Sequence, residues 1–507
     1  MESISWRLYD QQHDLSRILT LAARSCVDVR ASRPAEYLAA YFSKNCVGDE
    51  IRNFTTRTMF APGGTFVLGL TLHLLNGMEA QSTAVLANTS KNELPAEENV
   101  DPAAVIAEVL ETSYFPQLTT CGACDQKQFD AILNRISSDT DVPQVGGSVL
   151  YALSIVASSA AARCCAVPLF QHVRDTLELP LPRDTYAMPQ PCINFFGPEN
   201  ATTARVALKD VIIIPTMNDG VLPVHVIQKI FAAFRHFSKT HNANARSDGS
   251  LAFDTFENIT DAIAVAEAAL RAVGLVPVED VCVGLRLATV VANPRKEGKE
   301  VGEPLYALFP GDQEVSGAQL AEYVWEQIRN YAGFVVYLED THCDWDAAGI
   351  RRLHAHTGGT VAFSGYELYN QSQYTKVEQG LSDLWTSNVV LHLNAMSTLS
   401  RLYDVVRLVR SREGCTVGIA SQDMLHNVPF TAHLAVGIGA RYLCIGGLLN
   451  IVQCEALSHL VCVQQTLQQS RQLLEETPQL ACVELPEAPT GTVPEIKRRL
   501  EKKKRKR

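Results

Sequence analysis

Phe334-Val-Val-Tyr-Leu-Glu339-Asp340 is an apolar run that ends in two carboxylates. The run reads as a strand. In a β/α barrel the carboxyl ends of the strands form the mouth that carries ligands and catalytic groups, so Glu339 stands where a metal ligand would. One carboxylate does not hold magnesium, which takes several hard oxygens. Whether companions to Glu339 exist decides the chemistry of the chain.

Outward from this run, strand and helix alternate over residues 186–475. Strands are predicted at Val211–Ile214, Val281–Leu287, Phe334–Leu338, Thr360–Phe363, Val389–Leu393, Thr416–Ala420 and Tyr442–Ile445. Helices with apolar periodicity lie between them, among them Ile259–Val273, Ala318–Tyr331 and Thr398–Arg410. This spacing predicts a mainly parallel sheet, and the number of units predicts a closed barrel. Residues 47–180 read as α+β. Strands at Phe54–Phe60 and Thr65–Leu75 flank Pro62-Gly63-Gly64, and helices follow, one of them from about Gly146 to Cys164. The fold class is therefore α/β, a barrel with an N-terminal α+β domain.

The 507 residues are 47% apolar and 20% charged, enough to bury large cores. No apolar stretch is read as approaching a membrane span, and no signal layout opens the chain. A cytoplasmic protein without a membrane role is expected. The 14 cysteines are scattered and lie mostly in apolar segments, as Cys164-Cys165, Cys282, Cys444 and Cys462 do, where free Cys acts as a small hydrophobe. Cys121-Gly-Ala-Cys124 has ligand-like spacing, but no second pair follows at zinc-site distance.

Both ends differ from the body. Residues 1–46 read as a helical hairpin with Leu15, Ile18, Leu19, Ala22 and Ala23 on one helix and Tyr37, Leu38, Tyr41 and Phe42 on the other. Arg33-Pro34 opens the second helix. Two short helices cannot bury these faces alone, so either a docking partner or packing of the hairpin on the chain's own body is implied. The formal net charge is −11, yet residues 497–507 hold nine Lys/Arg and one Glu. Residues 476–507 are thus a linker and a polybasic tail suited to acidic surfaces. Acidic filaments such as tubulin tails, nuclear or nucleic-acid contacts, and a solubilising end all remain open for it.

The order of segments over roughly residues 50–470 resembles enolases. The pieces that carry the resemblance are Cys192-Ile-Asn194, Leu208-Lys-Asp-Val-Ile-Ile-Ile-Pro215, Tyr337-Leu-Glu339-Asp340, Asn394-Ala-Met-Ser-Thr-Leu399-Ser400 and Leu434-Ala-Val-Gly437. The hairpin, through Arg33-Pro-Ala-Glu-Tyr37-Leu-Ala-Ala-Tyr41-Phe42, resembles the docking and dimerisation hairpin of the type II protein kinase A regulatory subunit and Dpy-30 class. The whole layout resembles the divergent enolase-related group of sperm and other flagella, which implies a cilium or flagellar axoneme.

An enolase places three acids around a first magnesium, a Lys as base and a Glu as proton donor. The resemblance implies altered residues at nearly every such position. Arg286 stands for the first metal acid, Glu339 remains, and the third falls near Ser364. His392 stands for the base, Cys444 for a second Lys, and Ser421-Gln422-Asp423 for a His-Arg-Ser run. The proton donor falls at Gly249, a second pocket Glu becomes Asp210, and a magnesium-chelating loop serine becomes Phe66. Lys209 and Asp248 complete the expected pocket. Losing two acids and gaining Arg286 shifts the site charge by about three units, and an arginine does not neutralise near pH 7. The expectation is an inactive barrel without a cofactor. The alternative is residual or altered lyase activity with Mg2+. Arg286 is expected to replace the cation and to pair with Glu339. The family also implies a homodimer.

Overall fold

The computed structural model describes residues 15–45, 48–61, 64–86, 101–179, 181–182, 184–199, 207–288, 290–292, 302–308, 314–369, 372–420 and 427–474. The polybasic tail and Ser421-Gln422-Asp423 lie outside them. The chain forms two compact units, one of residues 1–178 with 397–400, the other of residues 179–396 with 401–507.

The first unit opens with helices α1 (Leu15–Asp28) and α2 (Pro34–Asn45). They are joined by a 2.6 Å hydrogen bond between the Ser25 and Tyr37 hydroxyls. Ala22 and Cys26 are buried, whereas Leu19, Leu21, Val27 and Val29 are exposed. Ala23, expected on the apolar face, is also exposed. Tyr37, Leu38, Tyr41 and Phe42 are half-buried, and the side chains of Leu15 and Ile18 lie outside the described ones.

Strands β1 (Ile51–Phe60), β2 (Phe66–Leu74) and β3 (Glu79–Val85) follow as an antiparallel meander. Sequence reading found the first two and missed β3, whose sequence EAQSTAV is polar. Phe66 is a strand residue packed on the core of its own unit, not a loop residue. Helices α3 (Pro102–Val109) and α5 (Gly147–Cys164) pack on the sheet, and α4 (Gln126–Ser137) packs on α5 in the same core. Contrary to the expectation from sequence, α5 is long and apolar enough to cross a membrane. It is 78% buried inside the fold, as the central helix of a core is.

The second unit is the barrel. Its first strands are β4 (Gln190–Gly197) and β5 (Leu208–Pro215), whose apolar runs are buried on both faces. Helices α6 (Val224–His241) and α7 (Ile259–Ala272) lead to β6 (Val281–Leu287). Then come α8 (Gly317–Ile328), β7 (Val335–Glu339), α9 (Ala347–Thr357), β8 (Ala362–Gly365), α10 (Tyr374–Ser382) and β9 (Asn388–His392). The ring finishes with α11 (Leu399–Arg410), β10 (Thr416–Ala420), α12 (Val428–Gly437), β11 (Tyr442–Ile445) and α13 (Ile451–Ser470). Helix starts obey local chemistry. Ser316 and Gln319 form a capping box on α8, and Asp346 and Asn450 cap α9 and α13.

β11 pairs with β4, closing the eight strands β4 to β11 into a barrel. The seven strands expected from sequence are all present; the eighth, β4, was read only as a family-like piece. β5 runs antiparallel to both neighbours, while the other barrel pairings are parallel. That reversal has a chemical consequence. The amino-terminal residues of β5 lie beside the carboxyl-terminal residues of β6, so Asp210 faces Arg286.

Candidate functional site

Four consecutive strands carry the mouth residues in one row. Asp210 is in register with Arg286, Arg286 with Glu339, and Glu339 with Ser364. On the three strands before Ser364 the row is charged and completely enclosed, with Asp210, Arg286 and Glu339 each no more than 2% exposed.

The guanidinium of Arg286 bridges two acids. Its Nε donates to Glu339 Oε2 at 2.5 Å, and its Nη1 donates to Asp210 Oδ2 at 2.9 Å. The expected pairing with Glu339 is present, and the guanidinium divides its donors between two carboxylates. The second oxygens are also used. Glu339 Oε1 accepts from the Tyr337 hydroxyl at 2.6 Å and lies 3.7 Å from the Cys444 thiol. Asp210 Oδ1 accepts from Arg246 Nη1 at 2.6 Å. The Arg286 guanidinium carbon sits 3.9 Å over the Tyr366 ring, a cation–π contact. Two acids and two arginines cancel in charge.

Burial raises the Asp210 carboxyl, and the two arginines offset this only in part. Burial also works to lower the Arg286 pKa, but Glu339 and Asp210 outweigh it and hold the group well above its ordinary range. A permanent cation therefore occupies the space between the acids.

Asp340 follows Glu339 with a left-handed φ of 52°. Its carboxylate accepts backbone N–H bonds from Tyr366, Glu367 and Leu368 at 2.9, 2.8 and 3.2 Å. Burial, then the Glu339 charge, pushes it up to about 6. It is an anchor for the turn after β8.

The other expected residues separate into those near the mouth and those turned to other work. His392 Nε2 lies 2.9 Å from the Tyr366 carbonyl. A carbonyl only accepts, so Nε2 carries the proton and Nδ1 is the basic nitrogen. Burial lowers the His392 pKa, which keeps the ring neutral near pH 7. Lys209 donates to Glu367 at 2.7 Å. Asp248 accepts from Asn194 Nδ2 and from the Ser250 hydroxyl and amide. Burial opposes its ionisation, yet those bonds and Arg246 prevail and lower its carboxyl. Cys444 lies in register with Cys192 on β4. Ser364 accepts from Asn388 Nδ2 at 2.7 Å, so it ties two strands together.

At Gly249, the position the resemblance assigns to the proton donor, the backbone itself leaves no room for an acid. Its φ is +84°, and a Cβ there would run into the Gly447 carbonyl and the Asn450 amide. No side chain fits, so the acid of this loop is its neighbour Asp248. Sequence reasoning also missed Arg246, Tyr337, Tyr366 and Glu367. Tyr337 was findable, since it stands two residues before Glu339 and shares its strand face.

This architecture defines a class: an eight-stranded barrel whose strand ends present acids at the mouth, opening with two strands and two helices and with its second strand reversed. The family described as "Enolase, C-terminal TIM barrel domain" matches residues 185–472, more than half of the chain. The chain belongs to the enolase family. Among curated relatives it is similar to the enolase of Haloquadratum walsbyi (strain DSM 16790 / HBSQ001). The two are 24% identical over 355 residues, which cover 68% of this chain and 82% of that enolase.

Family membership implies magnesium, and the residues present do not fit it. Both oxygens of Glu339 and both of Asp210 are taken by protein donors, and Arg286 lies between them. Among the described residues no three His, Cys, Asp or Glu side chains are grouped to hold a metal.

Proposed function

We propose that this protein is a non-catalytic member of the enolase family, a scaffold whose barrel has exchanged a metal site for an ion-pair clasp and which needs no resident cofactor. The closed chain Arg246–Asp210–Arg286–Glu339 carries the reading, with every oxygen of the two buried carboxylates bonded to a guanidinium or, at Glu339 Oε1, to the Tyr337 hydroxyl. Proton abstraction beside a carboxylate builds up negative charge, and multivalent cations supply most of its stabilisation. An arginine already neutralised by two acids does not replace them.

In this reading the appendages determine partners and place. The exposed Leu19 and the half-buried Tyr37, Leu38, Tyr41 and Phe42 offer apolar surface to an amphipathic helix of a partner protein. The tail of nine basic residues offers a salt-sensitive contact with acidic filaments such as tubulin tails. A homodimer and a place in the cilium or flagellar axoneme complete the proposal, both drawn from the resemblance.

The test is dehydration of 2-phosphoglycerate by the full chain with added magnesium. Turnover indistinguishable from the protein-free reaction is expected; magnesium-stimulated turnover near one per second overturns the reading. A second reading, altered lyase chemistry, rests on the neutral His392 with a basic Nδ1. If it holds, activity found in a screen of 2-hydroxy acids vanishes in His392→Ala.

A further inference from the structure

The four cysteines of Cys121-Gly-Ala-Cys124 and Cys164-Cys165 meet in the first unit, and they divide into two kinds. Cys121 and Cys164 are buried and engaged. Cys121 Sγ donates to the Leu118 carbonyl at 3.2 Å. Cys164 Sγ donates to the Gly48 carbonyl at 3.4 Å and accepts from Asn76 Nδ2 at 3.2 Å. Cys124 and Cys165 face each other instead. Their sulfurs lie 3.9 Å apart, Cys124 is exposed and Cys165 is half-buried.

The two come from elements 41 residues apart in sequence. Cys165 caps the carboxyl end of α5. Cys124 sits in the loop before α4, where its own N–H and that of Ala123 bond to Asp49. A disulfide needs sulfurs about 2.05 Å apart, so closure takes a movement of roughly 2 Å. The loop end that carries the exposed Cys124 and Asp125 is the side that can supply it, because α5 is the buried core helix. No set of three ligands is formed among the described residues here, which favours a dithiol over a metal centre.

We infer that Cys124 and Cys165 are a redox site, a dithiol that closes reversibly to a disulfide by exchange with a small-molecule disulfide such as oxidised glutathione. The Cys124 thiolate attacks one sulfur of the oxidised glutathione, and one glutathione leaves as thiolate and takes up a proton. The Cys165 thiolate then attacks Cys124 Sγ in the mixed disulfide and expels the second glutathione. Two protein thiols and one oxidised glutathione become one protein disulfide and two reduced glutathiones. In a reducing compartment such a bond is transient and sensing rather than structural. The closed form would pull the loop off its present bonds to Asp49, at the junction where the hairpin joins the body. The inference is independent of the function proposed above.

Hydrogen bonding to Cys165, then burial, raises the Cys124 thiol well above its ordinary range. Exchange proceeds through the thiolate, so its rate should climb about tenfold per pH unit and keep climbing beyond pH 8.5. The experiment equilibrates the full-length protein in glutathione buffers of graded potential. Free thiols are then alkylated, and peptides are mapped without reduction. Expected is loss of two of the 14 thiols and a linked Cys124–Cys165 peptide that returns to thiols in reduced glutathione. Cys124→Ser and Cys165→Ser should each abolish it, with Cys121→Ser and Cys164→Ser leaving it intact. Persistence of both thiols in excess oxidised glutathione at pH 9 overturns the inference. So does a link from Cys124 to Cys121, to Cys164 or to a second chain. Stoichiometric zinc in the purified protein, with both thiols alkylated only after chelation, also overturns it in favour of a metal site.

Discussion

The mouth of the barrel has two unlike halves. On β5 to β7 the charges of Asp210, Arg286 and Glu339 are buried and answer one another, with the half-buried Arg246 completing the chain from a neighbouring loop. On β9 to β11 the described strand residues at the mouth are His392, Ala420 and Cys444, with no fixed charge among them. One half holds a guanidinium between two acids, and the other presents uncharged side chains. The difference teaches that a buried polar mouth can be made stable in two ways. A buried acid must gain a fixed partner, because leaving it unpaired is costly. A neutral side chain such as Cys444 needs no such partner.

Breaking the charged half should therefore cost far more than editing the neutral half. Glu339→Ala leaves Arg286 with one acid and should lower unfolding stability by about 3–5 kcal/mol, as removal of one partner of a buried pair does. Urea denaturation measures this, and magnesium should not restore it. A double change, Arg286→Met with Glu339→Leu, should recover much of the loss. If Glu339→Ala costs under about 1 kcal/mol, the clasp is not what holds the mouth.

The next effect in size is a pH dependence at Asp340. Its carboxyl rises from 3.8 to about 6 on folding, worth about 3 kcal/mol at 1.36 kcal/mol per unit. The folded state holds the proton more tightly than the unfolded chain. This contribution to stability is fully present below pH 3.8 and is lost as pH rises through 6. Asp340→Asn should remove that slope between about pH 4 and 6 in denaturation curves, whatever its pH-independent cost.

Arg246→Ala should cost less, about 1.5–3 kcal/mol, the range for a hydrogen bond to a charged group. Asp210 would keep Arg286 as its partner. The smallest effect belongs to the neutral half. Cys444→Ala should change stability by no more than about 1.5 kcal/mol, and any larger loss would mean that its thiol contact with Glu339 makes it part of the charged half.

The apolar strand runs and their alternation with helices carried the barrel in the sequence, because strands buried on both faces must be apolar and long-lived local signals survive divergence. Glu339 at the end of one such run, and Arg286 at the end of another, were legible for the same reason. Ser364, by contrast, stood in the right row but faces Asn388, and the direction of its side chain depends on which strand is its neighbour. Only the tertiary structure decided that Asp210, Arg246 and Glu339 converge on one guanidinium. Residues 210, 246, 286 and 339 are far apart in sequence, and the reversal of β5 brings the first of them to the mouth. The same holds for Gly249, whose backbone is packed too closely to bear any side chain, and for Cys124 and Cys165. Spacing along the chain reports local periodicity; proximity across it is set by strand order, by the hand of each connection and by which face is buried.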